Sequence, residues 1–398
     1  MIQFHHPEFS DKRIIEELHA SSRTVVFRYE LLNGFNVFKK ELKNILSASV
    51  DNQALAQIKR TAKFQMYEDP DIDFQIDRIK PIMRLWIPPM PEIEPHTTFL
   101  SHAQPMTITK EKDVGGWVDF PLGIFLLSSP TRVHDQQKVN LQVDAYDSLV
   151  ILRDNELIYR LTAPGGLSGP EIVRNELKLL GINQVSIPDT TSELARTIEF
   201  EPGSGRLTSY NQLLRQANYS TLTVDEEGYF TAIPYINPND RNPMYAYKTD
   251  GKSVIFTGAE EELDLFNVAN QFTVVRTNEE QEPLMSMYTN VNPNSPTSTI
   301  RRGRIISDRR EIDDIADQEA LDKYTERIAI EASQVYGRIR FDTVLMPIHG
   351  DSDVLQFEHE PLGISGKFME LNWSMELKVN GTMSHELRQI VDVGGGQS

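Results

Sequence analysis

The sequence predicts an α+β protein, predominantly antiparallel β, in which two related β sections flank a small α+β domain. Short stretches of alternating apolar and polar residues, the pattern of half-buried strands, recur through residues 1–150 and again through 244–398. Capped helical patterns mark residues 151–243. The phrase Pro-Leu-Gly-Ile occurs near the end of both β-rich sections, at 121–124 and 361–364, and indicates a duplicated module.

The composition is that of a folded, soluble protein. At about 150 residues per domain, 398 residues predict two or three domains, or four small ones. Hydrophobic residues make up 39% and charged residues 25%, which excludes a disordered chain, and no apolar run approaches the roughly 18 residues of a membrane span. The N-terminus has no secretory pattern, which predicts synthesis in a cytoplasm. Zero cysteines exclude disulfides, thiolate metal sites and cysteine nucleophiles.

The first section, 1–150, is predicted to begin with a helix and continue in strands. Ser10 is a candidate N-cap for a helix over 11–20 with its apolar residues on one face. The β-forming run 24–32 ends at Asn33-Gly34, a hairpin signal. Alternating or β-branched sequence predicts further strands at 61–66, 79–87, 117–127 and 138–145. We therefore interpret 1–150 as a mostly antiparallel β domain.

The middle section, 151–243, has a different pattern. Pro170 suits the first turn of a helix and Gly181 suits the position after its end, with apolar residues at helical spacing between them. A second helix is predicted over 207–217, followed by a hairpin of 221–224 and 229–233. Turn-forming residues at 237–243 end this small α+β domain.

The third section, 244–398, returns to strands around one long helix. Strands are predicted at 270–277 and 282–288, before a proline-rich loop at 290–297. The helix is predicted over 313–336, with Leu321, Ile328 and Val335 on one apolar stripe. The last strands are predicted at 339–345, 353–357, 368–379 and 387–391, before a glycine-rich tail.

A group of four aspartates suggests an oxygen cage for calcium. The group lacks the glycine at the sixth position and the glutamate at the twelfth that a calcium hand requires. Apolar residues alternate with the acids, which favours an edge strand with one polar face. The aspartates are Asp69, Asp71, Asp73 and Asp77.

The strongest histidine and carboxylate cluster lies within eleven positions near the end of the chain. Its residue types suit zinc or iron, but the spacing is not the i, i+4 spacing of a helix-borne zinc site. The commoner interpretation is the start of a strand that carries polar residues. No nucleophile elbow, phosphate loop or dinucleotide fingerprint is present, so we predict no catalytic, cofactor-binding or metal-binding residues and no cofactor. The cluster consists of His349, Asp351, Asp353 and His359.

The charge balance argues against nucleic acid as a ligand. The chain has 40 basic and 58 acidic residues, which gives a formal net charge of −18. Nucleic-acid binding needs clustered cations instead. The only dense basic patches, 301–304 and 309–310, are interpreted as solvated strand or loop charges. The three tryptophans lie in apolar strand sequence and are interpreted as core residues. A negative surface does suit a protein past which DNA must slide without sticking.

Several phrases of the sequence form a recognisable set: Ile58 to Ala62, Asp77 to Pro81, Trp117 to Pro130, Val143 to Asp147, Leu213 to Tyr219, Val224 to Gly228, Phe230, Pro234-Tyr235, Asn270, Phe272 to Val275 and Asn292 to Thr297. This set resembles the tail hub and tail-tip proteins of bacteriophages, the family around the T-even baseplate hub and the siphophage tail-associated proteins. The resemblance covers essentially the whole chain, with structural phrases of moderate specificity.

The resemblance implies a homotrimer in which each subunit contributes two related β barrels, so that three chains form a pseudo-sixfold ring under a sixfold tail tube. The domains would be a first barrel with its N-terminal helix (1–150), a small α+β domain (151–243), and a second barrel with the long helix and C-terminal strands (244–398). Implied partners are the distal tail ring protein, the tape measure protein and tail fibre or receptor-binding proteins. DNA would be present only in passage.

The function implied is a structural one, at the tail tip of the virion. Many siphophage relatives continue into a peptidase, lysozyme-like or receptor-binding extension, whereas this chain ends at Ser398, and we therefore expect no enzymatic activity. The alternative from another class is a β-rich hydrolase or carbohydrate-binding protein of the tail that acts on the host cell wall. Paired carboxylates in a cleft would favour that alternative.

Overall fold

Fifteen of the 23 strands in the described part of the chain join one large sheet. The computed structural model describes residues 6–393 apart from 90–114, 136–137, 191–192, 195, 257, 265, 278–282, 313–314, 316 and 334–336. The strands pair mostly antiparallel and helices are few, so the predicted α+β, predominantly antiparallel β class is confirmed. No helix of the described residues has the length and apolar content needed to cross a bilayer.

The helices are α1 (Asp11–Leu18), α2 (Val150–Arg153), α3 (Gly169–Leu179), α4 (Arg206–Gln216), α5 (Thr299–Arg302) and α6 (Gln318–Ser333). The strands of the N-terminal section are β1 (Thr24–Leu32), β2 (Phe38–Leu42), β3 (Ile45–Gln53), β4 (Arg60–Tyr67), β5 (Arg78–Ile87), β6 (Gly116–Pro121), β7 (Phe125–Leu127), β8 (Thr131–Asp135) and β9 (Lys138–Tyr146). Those of the middle are β10 (Leu161–Ala163), β11 (Val185–Ser186), β12 (Ile198–Phe200), β13 (Thr223–Val224) and β14 (Phe230–Thr231). Those of the C-terminal section are β15 (Tyr245–Lys248), β16 (Glu260–Leu263), β17 (Gln271–Arg276), β18 (Met285–Thr289), β19 (Ser307–Ile312), β20 (Gly337–Val344), β21 (Val354–His359), β22 (Ile364–Glu376) and β23 (Thr382–Gln389).

The large sheet joins the N-terminal and C-terminal β sections. Its strand order runs β16-β20-β23-β22-β3-β4-β9-β7-β5-β1-β2, with β21 beside β22 and β15 beside β21. The two sections meet where Asn372–Glu376 of β22 pair antiparallel with Ser49–Gln53 of β3. The 13-residue length of β22 allows this, because its first half pairs with β21 while its second half pairs with both β23 and β3.

The two β sections also share one hydrophobic core. Phe64 and Val143 from the first section belong to the same buried cluster as Trp373 and Met383 from the last. Burial of a common apolar surface couples the two sections energetically. No closed barrel is found within the described residues, and the two-barrel arrangement and the boundaries at 150 and 243 remain predictions.

Two smaller cores lie beside the large one. The helices α3 and α4 and the hairpin β13–β14 form the middle core as predicted, and Gly181 takes the left-handed φ of +79° that follows a helix end. The other small core lies between α6 and the sheet β18-β17-β19. Helix α6 begins at Gln318 rather than at 313, because Asp317 accepts a hydrogen bond from the Ala320 N–H and caps it. The expected ends of this helix at 313–314 and 334–336, with Val335, lie outside the described residues.

The local predictions for the first section are confirmed with two differences. Ser10 caps α1, and β1 and β2 form the hairpin, but the loop spans 33–37 and its left-handed residue is Asn36 (φ +62°), not Gly34. The predicted edge strand around Asp71 and Asp73 is wrong, because residues 68–77 form turns. The backbone N–H groups of Asp71, Asp73 and Gln75 donate hydrogen bonds to aspartate side chains in this segment. These bonds take the place of the backbone hydrogen bonds that a strand would make to its neighbour.

The two copies of Pro-Leu-Gly-Ile make different local connections. The first joins β6 to β7, which both pair with β5, whereas the second is the turn of the β21–β22 hairpin. Both glycines, Gly123 and Gly363, have positive φ. Leu122 is buried but Leu362 is 40% exposed. Equivalence of the two sites in superposable barrels stays a prediction.

Candidate functional site: a polar sheet face above a buried cluster

One face of the large sheet is polar across the junction of the two β sections. A single row of side chains crosses six adjacent strands on this side, from β20 through β23, β22, β3 and β4 to β9. Strict alternation sends every second side chain of these strands to this side and the others into the core. The row consists of Asp342, Ser384, Ser374, Asp51, Thr61 and Tyr146.

This polar sheet face, which includes the outward side chains of β16, has more acidic than basic residues. Seven carboxylates and four cations project from the segments 47–53, 61–67, 140–146, 260–262, 338–342, 372–376 and 382–388, a net −3. Near β16, part of this negative charge is neutralised by two salt bridges, from Arg340 to Glu386 at 3.2 Å and from Arg338 to Glu262 at 3.6 Å. Asp342, Glu376 and Asp144 remain exposed. The acids are Asp51, Asp144, Glu260, Glu262, Asp342, Glu376 and Glu386, and the bases are Lys63, Arg338, Arg340 and Arg388.

Directly beneath this face, on the core side of β22 and β23, lies a buried ionisable cluster of His349, Glu370 and His385. The strand alternation of β23 points His385 inward, opposite Trp373. Glu370 precedes an irregularity in the β22–β23 pairing, where one extra residue of β22 shifts the register. His349 comes from the loop between β20 and β21. All three side chains have at most 1% of their surface exposed.

The Glu370 carboxylate lies between the two imidazoles. Its Oε1 is 2.5 Å from His385 Nδ1, and its Oε2 is 2.7 Å from His349 Nδ1. The contact between Glu370 Oε2 and His349 Nδ1 is not aligned as a hydrogen bond, so neither of these two atoms has a hydrogen-bond partner. The outer nitrogens contact hydroxyl groups, His349 Nε2 to Tyr247 OH at 2.6 Å and His385 Nε2 to Thr343 Oγ1 at 2.8 Å.

Burial and mutual attraction set the protonation of this cluster. Burial raises the pKa of Glu370, but the two histidines outweigh it and hold the pKa at about 2. Burial lowers the pKa of His385, and the attraction of Glu370 only partly offsets this effect. Burial also acts to lower the pKa of His349, but the attraction of Glu370 and Asp353 is stronger, so that pKa is raised. Burial raises the pKa of the neighbouring Asp353 to about 6. At neutral pH the cluster therefore holds an ionised Glu370.

A second polar network lies where the three chain sections meet. The buried Arg60 donates to Glu226 Oε1 of the middle domain at 2.7 Å, and its guanidinium lies over the Trp373 ring at 5.7 Å. Asp351 accepts from Asn52 of β3 and from Thr223 of β13. One loop of the C-terminal section is thus joined by side chains to both other sections.

The structure separates the candidates that the sequence suggested. His349 and Asp353 meet, with Nδ1 and Oδ2 3.9 Å apart, but His359 stacks on Phe357 away from them, and Asp351 belongs to the interdomain network. Glu370 and His385 were missed, because charged residues in a strand are usually expected on its exposed face. Their inward positions in the alternating pattern were the signal that could have indicated them.

Three of the four residues of the aspartate group pair with lysines rather than with one another around a cation site. Lys40 pairs with Asp69 and Asp71, and Lys39 pairs with Asp77 at 2.6 Å. The basic residues near 301–310 are held by their own chain: Arg302 and Arg304 donate to backbone carbonyls, and Arg310 pairs with Asp308. Trp373 is a core residue as predicted, whereas Trp86 and Trp117 form a half-buried edge-to-face pair.

Comparison with known structures places the fold among phage tail proteins. The fold is similar to a tail protein from Neisseria meningitidis MC58 (TM-score 0.64, 11% identity, covering 92% of this chain and 97% of that one). It is also similar to the 43 kDa tail protein of prophage MuSo2 from Shewanella oneidensis (TM-score 0.60, 12% identity, 90% and 98%). A third match is the prophage tail protein gp18 from Listeria monocytogenes EGD-e (TM-score 0.54, 11% identity, 91% and 94%).

These matches confirm, at the level of the fold, the resemblance to tail hub and tail-tip proteins. Each match spans nearly the whole length of both chains, so the similarity is not limited to one part of the fold. No protein-family profile matches the chain, and no curated protein matches it by sequence.

Proposed function

We propose that this chain is a structural virion protein, a homotrimeric hub at the distal end of a phage or phage-derived tail. The hub closes the tail tube and joins the distal tail ring protein to the tape measure protein, and tail fibre or receptor-binding proteins attach to it. The observation that carries the proposal is the end-to-end match of the fold to three tail proteins.

Symmetry explains why a trimer suits this position. Three subunits can match a sixfold tube if each presents two similar faces, one from each β section. The polar sheet face supports this, because three of its seven strands (β3, β4 and β9) come from the first section and four (β16, β20, β22 and β23) come from the last. Two β barrels per subunit, with the middle domain between them in sequence, would complete the ring.

The charge of the polar sheet face fits a channel wall. Three chains carry 3 × −18 = −54 formal charges. If the polar sheet face lines the axis, exiting DNA meets a surface that does not bind it. The alternative is that the acids serve solubility on the outside of the ring.

Native mass spectrometry and negative-stain electron microscopy of the purified protein test the oligomer. We expect three times the mass of one chain and a ring with an axial hole, at least in the presence of the distal tail ring protein. A stable monomer or dimer under both conditions would contradict the hub.

Charge reversal on the polar sheet face tests the channel. Asp144→Lys, Asp342→Lys and Glu376→Lys together should slow DNA release from reconstituted particles, because cations on the wall bind the passing phosphates. The control reverses three exposed acids away from that face, Glu171, Asp240 and Asp250. Equal slowing by both variants would place the acids outside the channel.

We further propose that the chain has no hydrolytic activity. The carboxylate and histidines of the buried cluster are at most 1% exposed, so no polysaccharide can reach them. Purified host peptidoglycan should stay intact when incubated with the protein. Turnover that is abolished by Glu370→Gln or by an Asp342→Asn change would instead favour the cell-wall hydrolase.

A further inference from the structure

Four side chains with metal-binding atoms converge in the core beneath β22 and β23. The Nδ1 atoms of His349 and His385 and a carboxylate oxygen of Glu370 lie within 4.8 Å of one another. Asp353 Oδ2 is 3.9 Å from His349 Nδ1. The four residues come from a loop, a strand irregularity and a neighbouring strand, so the tertiary fold brings them together.

The chemistry of this donor set selects one class of ligand. Two imidazoles and two carboxylates, with no thiolate in the chain, suit a borderline divalent cation such as Zn²⁺. A hard cation such as Ca²⁺ needs six to eight oxygen ligands, which this set does not provide.

The outer nitrogens of both imidazoles contact hydroxyl groups, which orient the rings as outer hydrogen-bond partners orient the histidines of metal sites. Thr343 Oγ1 donates its hydrogen to Val344 O at 2.7 Å, so it can only accept from His385 Nε2. This places the proton of a neutral His385 on Nε2 and leaves a lone pair on Nδ1. Tyr247 OH, 2.6 Å from His349 Nε2, orients the second ring.

Acceptor atoms face one another inside the cluster. With the proton of a neutral His385 on Nε2, His385 Nδ1 and Glu370 Oε1, which are 2.5 Å apart, need a proton or a cation between them. His349 Nδ1 and Glu370 Oε2 are buried polar atoms that lie 2.7 Å apart without the alignment of a hydrogen bond. Such atoms are costly to bury unless something satisfies them.

We propose that His349, Glu370, His385 and Asp353 bind one structural Zn²⁺ ion per chain. The ion would join the loop between β20 and β21 to β22 and β23, and with no ligand position open to solvent it would act in folding, not in catalysis.

Shifts of the ligand atoms in both directions would give tetrahedral spacing. Bonds of 2.0–2.2 Å in a tetrahedron place ligand atoms roughly 3.3 Å apart, so the two short contacts must open by less than about 1 Å, while separations of up to 4.8 Å must close. His349 and Asp353 lie on a loop with Ser352 in a left-handed conformation (φ +57°), and the Asp353 side chain, 12% exposed, is the outermost ligand.

Metal analysis of the intact wild-type protein tests the proposal without any variant. Protein stripped with EDTA, incubated with excess Zn²⁺ and desalted should retain one equivalent per chain, and its Tm should rise above that of the stripped form. Co²⁺ in place of Zn²⁺ should give the visible absorption of a tetrahedral site. No retained metal together with an unchanged Tm would show that the cluster is a closed ionic network, and would overturn the proposal.

Variants assign the metal to these residues. Glu370→Gln and His385→Gln should abolish retention, whereas the matched buried control His359→Gln, outside the cluster, should keep one equivalent. Tyr247→Phe and Thr343→Val remove the positioning hydroxyl groups and should weaken Zn²⁺ affinity roughly 10–100-fold. If Glu370→Gln and His385→Gln both still retain one equivalent of Zn²⁺, the metal is bound outside this cluster and the proposal is wrong. None of these measurements depends on whether the chain forms a hub.

Discussion

Single buried polar residues hold the three sections of this chain together. Arg60 belongs to β4, contacts Glu226 of the middle domain and lies over Trp373 of β22, with 3% of its surface exposed. The nearby Asp147 accepts hydrogen bonds from the backbone N–H groups of Arg60 and Leu149 at 2.9 and 2.8 Å. At this scale, charge and hydrogen bonding fix how the middle domain docks on the sheet.

Removal of the Arg60 side chain should loosen that docking. We expect Arg60→Ala to lower the free energy of unfolding by about 1–3 kcal/mol, because a charged hydrogen bond and its packing are lost while Glu226 can still be hydrated. Arg153→Ala, which removes an exposed arginine paired with its neighbour Asp154, should stay within about 0.5 kcal/mol. Urea denaturation measures both, and equal effects would contradict the role of Arg60.

Asp147 should make stability depend on pH. Burial, only partly offset by the hydrogen bonds that it accepts, raises its pKa from about 3.8 to about 6. The pKa of Asp147 is higher in the folded state than in the unfolded state, so the protonated side chain stabilises the fold. This stabilisation of about 3 kcal/mol is fully present below pH 3.8 and is lost as the pH rises through 6. Asp147→Asn lacks this loss, so its stability relative to wild type should improve between pH 4 and 7. A difference that is constant with pH would refute the assignment.

At the scale of elements, the β22–β23 hairpin is the central feature. It carries Glu370 and His385, pairs with strands from both β sections and turns over residues 377–381. Gly381 is required by close approach: a Cβ there would lie 2.3 Å from Glu376 O. The irregularity of β22 and this tight turn together decide which side chains face the core.

Gly381→Ala should therefore strain the turn. We expect a loss of about 1–3 kcal/mol, the usual cost of forced overpacking. Gly251→Ala is the matched control, because nothing lies within 4 Å of its Cβ position and its backbone is not left-handed. Thermal unfolding should distinguish the two, and a neutral Gly381→Ala would show that the turn relaxes freely.

For the whole molecule, the shared core makes the two β sections one thermodynamic unit. Strand β3 has β22 on one side and β4 on the other, and side chains of all three belong to one buried cluster. Sections that bury a common surface are expected to open together.

Native-state hydrogen exchange tests this coupling. Amides of β3 and β4 and those of β22 and β23 should share one opening free energy, although they are about 300 residues apart in the chain. A chain shortened to residues 1–243 should lose that protection in β3. Independent opening of the two sections would show that each domain folds alone.

The sequence by itself determined most of the elements and the class of the fold. Ser10, Pro170 and Gly181 mark helix ends through local hydrogen bonding and backbone geometry, and the alternation in 138–145 predicted β9. Such signals act over a few residues, which is why they can be found without a structure. The family resemblance added the tail-protein fold.

Only the tertiary structure decided how distant residues meet. No local signal in the sequence predicts the pairing of β22 with β3 or the contact between Arg60 and Glu226. The same holds for the cluster of His349 with Glu370 and His385, which excludes His359. These contacts depend on strand register and on competition for a common core, in which one residue of shift exchanges the buried and exposed faces. The polar face and the buried cluster exist because long-range pairing, rather than local propensity, selects the register of β22.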